Sequence, residues 1–123
     1  MEVIDPVPRK DLFAFYKDAD CLLCHLNDLT AFSKVLPSKL FEYAATGKPI
    51  LAGVSGWARC FLETNVQGVK AFAPLDAQGM IDAINLIVKD QNHFDRSEFG
   101  RKFCRENIST KMAQQVIDLT QKT

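Results

Sequence analysis

The sequence predicts an α/β fold in three layers: a parallel sheet of about four strands, flanking helices, and a helical tail at the C-terminus. Short apolar segments alternate with amphipathic segments along most of the chain, separated by proline, glycine or aspartate. The last part of the chain has no strand-like segment and repeats apolar residues at helical spacing. Strands that alternate with helices pair in parallel, because each helix returns the chain to the start of the next strand.

Length, charge and hydropathy narrow the class of protein. The 123 residues allow one domain with a single hydrophobic core. Fifteen basic residues balance fifteen acidic ones, so we expect no nucleic-acid interface, which would need a basic surface. No apolar run approaches the length of a membrane span, and the first residues lack the apolar region of a signal peptide. We therefore expect a cytoplasmic location.

The first part of the chain predicts a strand, a helix, a second strand and a loop. Val3 and Ile4 form the short first strand, and Pro8 or Arg9 begins the helix. Residues 21–26 are mostly apolar and predict the second strand. The loop after this strand is expected to border a ligand crevice, because crevices of α/β folds lie at the carboxyl ends of strands.

Residues 35–53 predict a loop, a short helix and a buried strand. Pro37 and Ser38 favour a helix start, since proline has the φ of a first turn and a serine oxygen can accept a free backbone N–H. Gly47 predicts the helix end, because glycine readily adopts the left-handed conformation. The apolar run that follows ends at Gly53 and predicts a third strand with both faces covered.

The polar face of this helix carries the strongest chemical signal in the chain. Ser38, Lys39 and Glu42 share that face. The free N–H groups of a helix N-terminus favour anions such as phosphate, and Lys39 adds a positive charge. The Glu42 carboxylate can accept two hydrogen bonds from a vicinal diol, as an acidic residue does for ribose in dinucleotide folds. The pattern fits a sugar–phosphate ligand, and it equally fits the solvated face of an amphipathic helix.

A turn of small residues after the third strand has two possible roles. Ser55 and Gly56 lead into a helix over residues 57–65, and their free N–H groups form a second candidate anion site or only a connection. Residues 68–72 predict the fourth strand, and Asp76 is expected to cap the long helix that follows.

The apolar residues of the last three helices are expected to face the core. Ser109 is predicted to cap the last of them. The residues assigned to the core are Met80, Ile81, Ile84, Ile87 and Val88 of the long helix, Phe94, Phe99 and Phe103 of the next, and Met112, Ala113, Val116, Ile117 and Thr120 of the last.

The positions of the cysteines predict buried or partly buried thiols and no metal site. Cys21 and Cys24 have the C-x-x-C spacing, with His25 beside them. In a strand, however, residues three apart point to opposite faces, and no second ligand pair with zinc-like spacing is present. Cys60 and Cys104 are also expected to be buried or partly buried. A structural role is expected for His25.

The segment PSKLFEYAATGKPIL strongly resembles the signature of glycosyltransferase family 4, whose members are retaining enzymes of the GT-B fold, and especially its bacterial surface-polysaccharide enzymes. The flanking segments VIDPVPRKDLFAFYKDADCLLCHL and FGRKFCRENIST resemble the same family, so the resemblance covers nearly all of the chain. It implies a partial Rossmann-like, donor-binding C-terminal domain. The parent enzyme would transfer a hexosyl group from a nucleotide-sugar in O-antigen, capsule or exopolysaccharide synthesis.

The resemblance places the donor against the central helix. Glu42 matches the second glutamate of the family's E-x7-E pattern, which binds the ribose hydroxyls. Lys34 replaces the first glutamate. The other donor contacts that it implies are Ser38, Lys39, Leu40 and Lys34, with Ser55 and Gly56 as phosphate or sugar contacts. It implies no catalytic residue in this chain, no metal, and no cofactor apart from the nucleotide-sugar substrate.

The resemblance also implies a part of a larger enzyme. The acceptor-binding N-terminal domain, which would bind a saccharide or lipid-linked acceptor, has no counterpart in the sequence, nor do the first two strand–helix units of the donor domain. We therefore expect the chain alone to be inactive and the parent enzyme to be cytoplasmic, peripheral to the inner membrane. The sheet edge left open would be covered by the first strand docking beside the second, or by a homodimer.

Three other functions stay open. A sugar-nucleotide 2-epimerase shares the GT-B architecture but needs acid–base carboxylates that are not found here. A receiver-like signalling domain needs two acidic residues after its first strand and an aspartate after its third, where this chain has Asp5 alone and Gly53. The chain could also be a structural remnant without a ligand.

Overall fold

The central sheet has three parallel strands in the order β1-β2-β3 in the computed structural model, which describes residues 1–90 and 93–122. The strands are β1 (Leu22–His25), β2 (Ile50–Gly53) and β3 (Val69–Phe72). Their register places His25, Gly53 and Phe72 side by side at the last position of each strand. The carboxyl ends of all three strands therefore lie at one edge of the sheet.

Helices cover both faces of this sheet. They are α1 (Arg9–Asp18), α2 (Lys39–Ala45), α3 (Gly56–Asn65), α4 (Ala77–Lys89), α5 (Ser97–Phe103) and α6 (Arg105–Gln121), and a 3₁₀ helix spans Thr30–Lys34. One face packs against α1, α2, α3 and α5, and Leu40, Ile50 and Leu62 are almost fully buried there. On the other face, Ala83 and Ile87 of α4 pack against β2 and β3. The predicted three-layer α/β fold with a helical C-terminal tail is confirmed.

The predicted first strand does not form, so the sheet has three strands instead of about four. Val3 and Ile4 lie in irregular chain and are 82% and 49% exposed. Two apolar residues so close to Pro6 are too short a segment for a ladder, and proline has no N–H to donate. The prediction that this segment docks beside the next strand is therefore wrong.

Arg96 fixes the end of α2, and nothing in the sequence pattern singled it out. Its side chain is buried and donates to four backbone carbonyls: Nη1 to Tyr43 (3.4 Å) and Ala44 (3.3 Å), Nη2 to Lys48 (2.7 Å), and Nε to Gln67 (2.8 Å). The last carbonyls of a helix lack partners and carry partial negative charge. Burial lowers the pKa of Arg96 to about 10, so the guanidinium is still charged at neutral pH.

The cysteine predictions are confirmed for two of the four residues. Cys24 packs in the core beneath α2, whereas Cys21 packs on the α4 side, so the two thiols face opposite ways as the strand geometry predicted. Burial raises the pKa of both thiols. Cys60 and Cys104 are exposed, so their predicted burial is wrong. Cys60 lies on the solvent side of α3, and Cys104 joins α5 to α6.

The long helix α4 is capped as predicted but buries a narrower face. Asp76 Oδ1 accepts from the Gly79 N–H at 3.0 Å, which confirms the cap. Ile87 is buried, but Ile81, Ile84 and Val88 are exposed, contrary to the prediction. α4 packs against β2 and β3. A narrow apolar face of the helix is enough to fill this contact.

The assignment of α6 to the core is wrong. None of its residues is buried, and Met112, Val116 and Ile117 are 61%, 60% and 47% exposed. Ser109 lies inside the helix and not at its cap, because α6 begins directly after α5 at Arg105. Phe99 is buried in the core and Phe103 packs against it, so α5, unlike α6, supplies the packing predicted for these two residues.

Candidate functional site

The first turn of α2 forms without the predicted serine cap. Ser38 stands at the N-cap position with helical dihedral angles (φ −57°, ψ −31°), and its hydroxyl makes no capping hydrogen bond. A capping side chain needs an extended backbone to fold back onto the helix. The first N–H groups bond to backbone carbonyls instead: Leu40 to Pro37 at 3.1 Å, and Phe41 to Ser38 at 3.0 Å. The first turn therefore offers fewer free N–H groups to an anion than the sequence predicts.

Two side chains of α1 contact the carboxylate of Glu42, which belongs to α2. Arg9 Nη2 lies 2.9 Å from Glu42 Oε1, and the Tyr16 hydroxyl donates to Oε2 at 3.4 Å. Burial and the Glu42 charge both raise the pKa of Tyr16. Tyr16 in turn packs edge-on against Tyr43, with ring centroids 5.3 Å apart. The carboxylate thus has partners on the α1 side, and the Glu42 side chain as a whole is 27% exposed.

The pair between Arg9 and Glu42 is open to a competitor. The Arg9 side chain is 74% exposed, so water screens the attraction. Exposed ion pairs contribute about 0–1 kcal/mol, which one or two hydrogen bonds from a ligand can replace. A polar group that reaches Glu42 therefore has little to displace.

Two lysines of the predicted site are available to an anion, and one predicted contact is not. Lys34 ends the 3₁₀ helix and Lys39 begins α2, and both are exposed. Lys39 is close enough to Cys24 that its charge opposes the rise in that thiol's pKa. Leu40, in contrast, is 2% exposed and packs in the core. Its predicted contact with the donor does not fit this placement, since a ligand cannot reach the side chain.

The turn at Ser55 and Gly56 packs against the 3₁₀ helix that carries Lys34. Gly56 has φ +62°, and a Cβ there would lie 2.7 Å from Ser33 Cβ. The structure therefore brings together two predicted parts of the site, the segment ending at Lys34 and the turn before α3. Both follow the carboxyl end of a strand, where α/β folds place their ligands.

One cavity of the described residues lies away from Glu42 and its partners. It has a volume of about 300 Å³, lies between α3 and α5, near the start of β3, and is lined in part by Asn65, Gln67, Arg96 and Lys102. That is the amino end of the strands, opposite the predicted site. Within residues 1–90 and 93–122, no three His, Cys, Asp or Glu side chains are grouped to hold a metal ion.

The sequence pattern does not reveal the partners of Glu42. Arg9 and Tyr16 are seven residues apart and so share one face of α1. The sequence alone shows that these two side chains lie on the same side of the helix. Which helix that face meets depends on tertiary packing, and Glu42 lies 26 residues beyond Tyr16. The sequence gives no indication of the role of Arg96, because its four acceptors are backbone carbonyls, which every residue has.

Comparisons of the chain with protein-family models, with curated proteins and with solved structures give no match. In the part of the chain that the structure describes, no helix combines the length and the apolar character needed to cross a bilayer.

Proposed function

We propose that this chain binds the donor nucleotide of a retaining glycosyltransferase that acts in bacterial surface-polysaccharide synthesis. The proposal draws on the resemblance of residues 37–51 and their flanks to glycosyltransferase family 4. The observation that carries it is the carboxylate of Glu42, which is partly exposed near the start of α2 and oriented by Arg9 and Tyr16. A partly exposed carboxylate with only weak partners of its own suits the vicinal hydroxyls of a ribose.

In the proposed complex, the two ribose hydroxyls donate to the carboxylate oxygens of Glu42. Hydrogen bonds to a charged group contribute about 1.5–3 kcal/mol each, more than the exposed pair with Arg9. Arg9 would therefore move aside or turn toward the phosphates. Lys34 and Lys39 would supply positive charge to the diphosphate, whose negative charge grows as the sugar departs.

The acceptor and the transfer step belong, in this proposal, to the parent enzyme. The saccharide or lipid-linked acceptor would bind a domain outside this chain, and the enzyme would work in the cytoplasm at the inner membrane. The isolated chain is accordingly expected to bind nucleotide and to transfer no sugar.

A titration of UDP, GDP and their sugar conjugates, followed by ligand-observed NMR, tests the proposal. We expect one nucleotide to bind, and Glu42→Ala to raise its dissociation constant at least about tenfold, since 1.4 kcal/mol corresponds to tenfold. Glu63→Ala is the matched control. Glu63 is also a glutamate paired with an arginine, Arg59 at 3.1 Å, and it lies on the surface of α3. This control is expected to bind like the wild type.

Two results would overturn the proposal. One is the absence of binding at millimolar concentrations of every nucleotide tested. The other is binding that Glu42→Ala leaves unchanged, since the ribose would then lie elsewhere.

A further inference from the structure

The last residues of the three strands form a row across the α4 face of the sheet. The His25 ring lies over Gly53 and stacks on Phe72, with ring centroids 5.9 Å apart and planes 21° apart. A Cβ on Gly53 would collide with His25 Cδ2 and lie 2.9 Å from Phe72 Cζ. The glycine therefore makes room for the imidazole to extend from β1 toward the chain that follows β3.

That chain is a tight turn over residues 73–76. The Asp76 N–H donates to the Ala73 carbonyl at 3.1 Å, Pro74 occupies the second position, and Leu75 the third. Leu75 has φ +65°, and no other non-glycine residue among those described has a positive φ. This is the pattern of a type II turn, whose third position normally requires glycine. A leucine keeps such a conformation only where its surroundings enforce it.

The Leu75 N–H takes no part in the turn's own hydrogen bond. It donates instead to His25 Nε2 at 3.2 Å, a contact between residues 50 positions apart. Nε2 can accept only if it carries a lone pair, so this hydrogen bond requires a neutral imidazole with its proton on Nδ1. When Nε2 gains a proton, two N–H groups face each other and the hydrogen bond is lost.

The two ion pairs described in the structure, Arg9–Glu42 and Arg59–Glu63, do not involve His25. Gly53 and Phe72, which the ring covers, are uncharged. Asp76, the N-cap of α4, follows Leu75 directly, and its Oδ1 accepts from the Gly79 N–H. Lys70 shares the α4 face of β3 with Phe72. Asp28 belongs to the segment after β1, and Lys39 lies near Cys24, on the opposite face of β1 from His25.

We propose that neutral His25 holds the turn at residues 73–76 in its left-handed conformation, and that protonation of His25 releases it. Histidine is the side chain that ordinarily changes charge between about pH 5 and 8. The turn ends at Asp76, the cap of α4, so its release would also loosen the first turn of that helix. The carboxyl edge of the sheet would thus have a rigid form at neutral pH and a mobile form in acid. The proposal concerns the turn itself and holds for whatever ligand the chain binds.

The test follows the Leu75 amide by NMR between pH 5 and 8 and measures its protection against hydrogen exchange. The chain has two histidines, so His93→Gln isolates His25. In the wild type and in His93→Gln, we expect one titration step of the Leu75 signal and at least a tenfold loss of protection on its acid side. His25→Phe keeps a ring for stacking but has no acceptor. It should show low protection at every pH and no step.

A second variant separates the turn from the hydrogen bond. In His25→Phe combined with Leu75→Gly, glycine adopts the positive φ unaided, so we expect a pH-independent turn and a restored α4 cap, read from the Gly79 amide. A Leu75 amide whose protection is unchanged in His25→Phe would overturn the proposal. So would the same pH step in that variant, or no step in the wild type.

Discussion

Gly53 stands at a position where one methyl group has no space. Its neighbours across the sheet are the rings of His25 and Phe72, which contact each other above it. We expect Gly53→Ala to lower the free energy of unfolding by about 1–3 kcal/mol, the usual penalty for overpacking. Urea denaturation measures the change.

Gly100 provides the opposite case in the same chain. It lies inside α5, and a Cβ added there would meet nothing within 4 Å. Glycine in a helix interior is less favourable than alanine by about 0.8–1 kcal/mol, so Gly100→Ala should stabilise the protein by that order. If both alanine variants changed stability alike, the stacked row above Gly53 would not be as close as described.

At the scale of the elements, α6 contributes little to the core. It has no buried residue, whereas α5 inserts Phe99 into the core. We expect a chain that ends after Cys104 to lose less than about 1 kcal/mol of unfolding free energy, because surface changes rarely exceed that range. Urea denaturation of this variant and of the full chain gives the comparison.

Phe99→Ala is the control for that truncation. Removal of a buried aromatic side chain costs about 3–5 kcal/mol, so this single change should exceed the loss of all of α6. A truncated chain as unstable as Phe99→Ala would show that α6 packs onto the core.

Local signals predicted the elements well where the chain carries its own start and stop residues. Gly47 ends α2 with φ +71°, and Asp76 caps α4, both as predicted. Predictions failed where the outcome depends on a distant partner. Val3 and Ile4 resemble a strand but have no strand to pair with, and the apolar face of α6 has no layer to cover. Leu40 and Glu42 are two residues apart in one helix, yet one is core and the other pairs with α1.

At the scale of the whole molecule, β1 is an outer strand of the sheet. Leu22 and Leu26 donate toward β2, so by alternation the backbone groups of Leu23 point away from it. The Tyr43 hydroxyl donates to the Leu23 carbonyl at 3.1 Å, and burial raises the pKa of Tyr43 to about 12. This contact covers part of the edge. The Leu23 side chain is 46% exposed on the α4 face.

An outer strand of this kind favours pairing between chains. We expect a homodimer through β1 that forms as the concentration rises, visible in sedimentation velocity. Leu23→Lys should shift the equilibrium toward monomer, since a charge on an edge strand opposes pairing. A wild-type chain that sediments as a monomer at every concentration would rule out the dimer.

The four hydrogen bonds of Arg96 bear on the order in which the chain can fold. The helix that carries Glu42 is completed at its C-terminal end by a side chain about 50 residues later. Contacts of such sequence separation form late, because a long loop must close first. During synthesis on the ribosome, which proceeds from the N-terminus, α2 would remain without this support until residue 96 has emerged. The helix of the proposed site would therefore be among the last parts of the domain to become rigid.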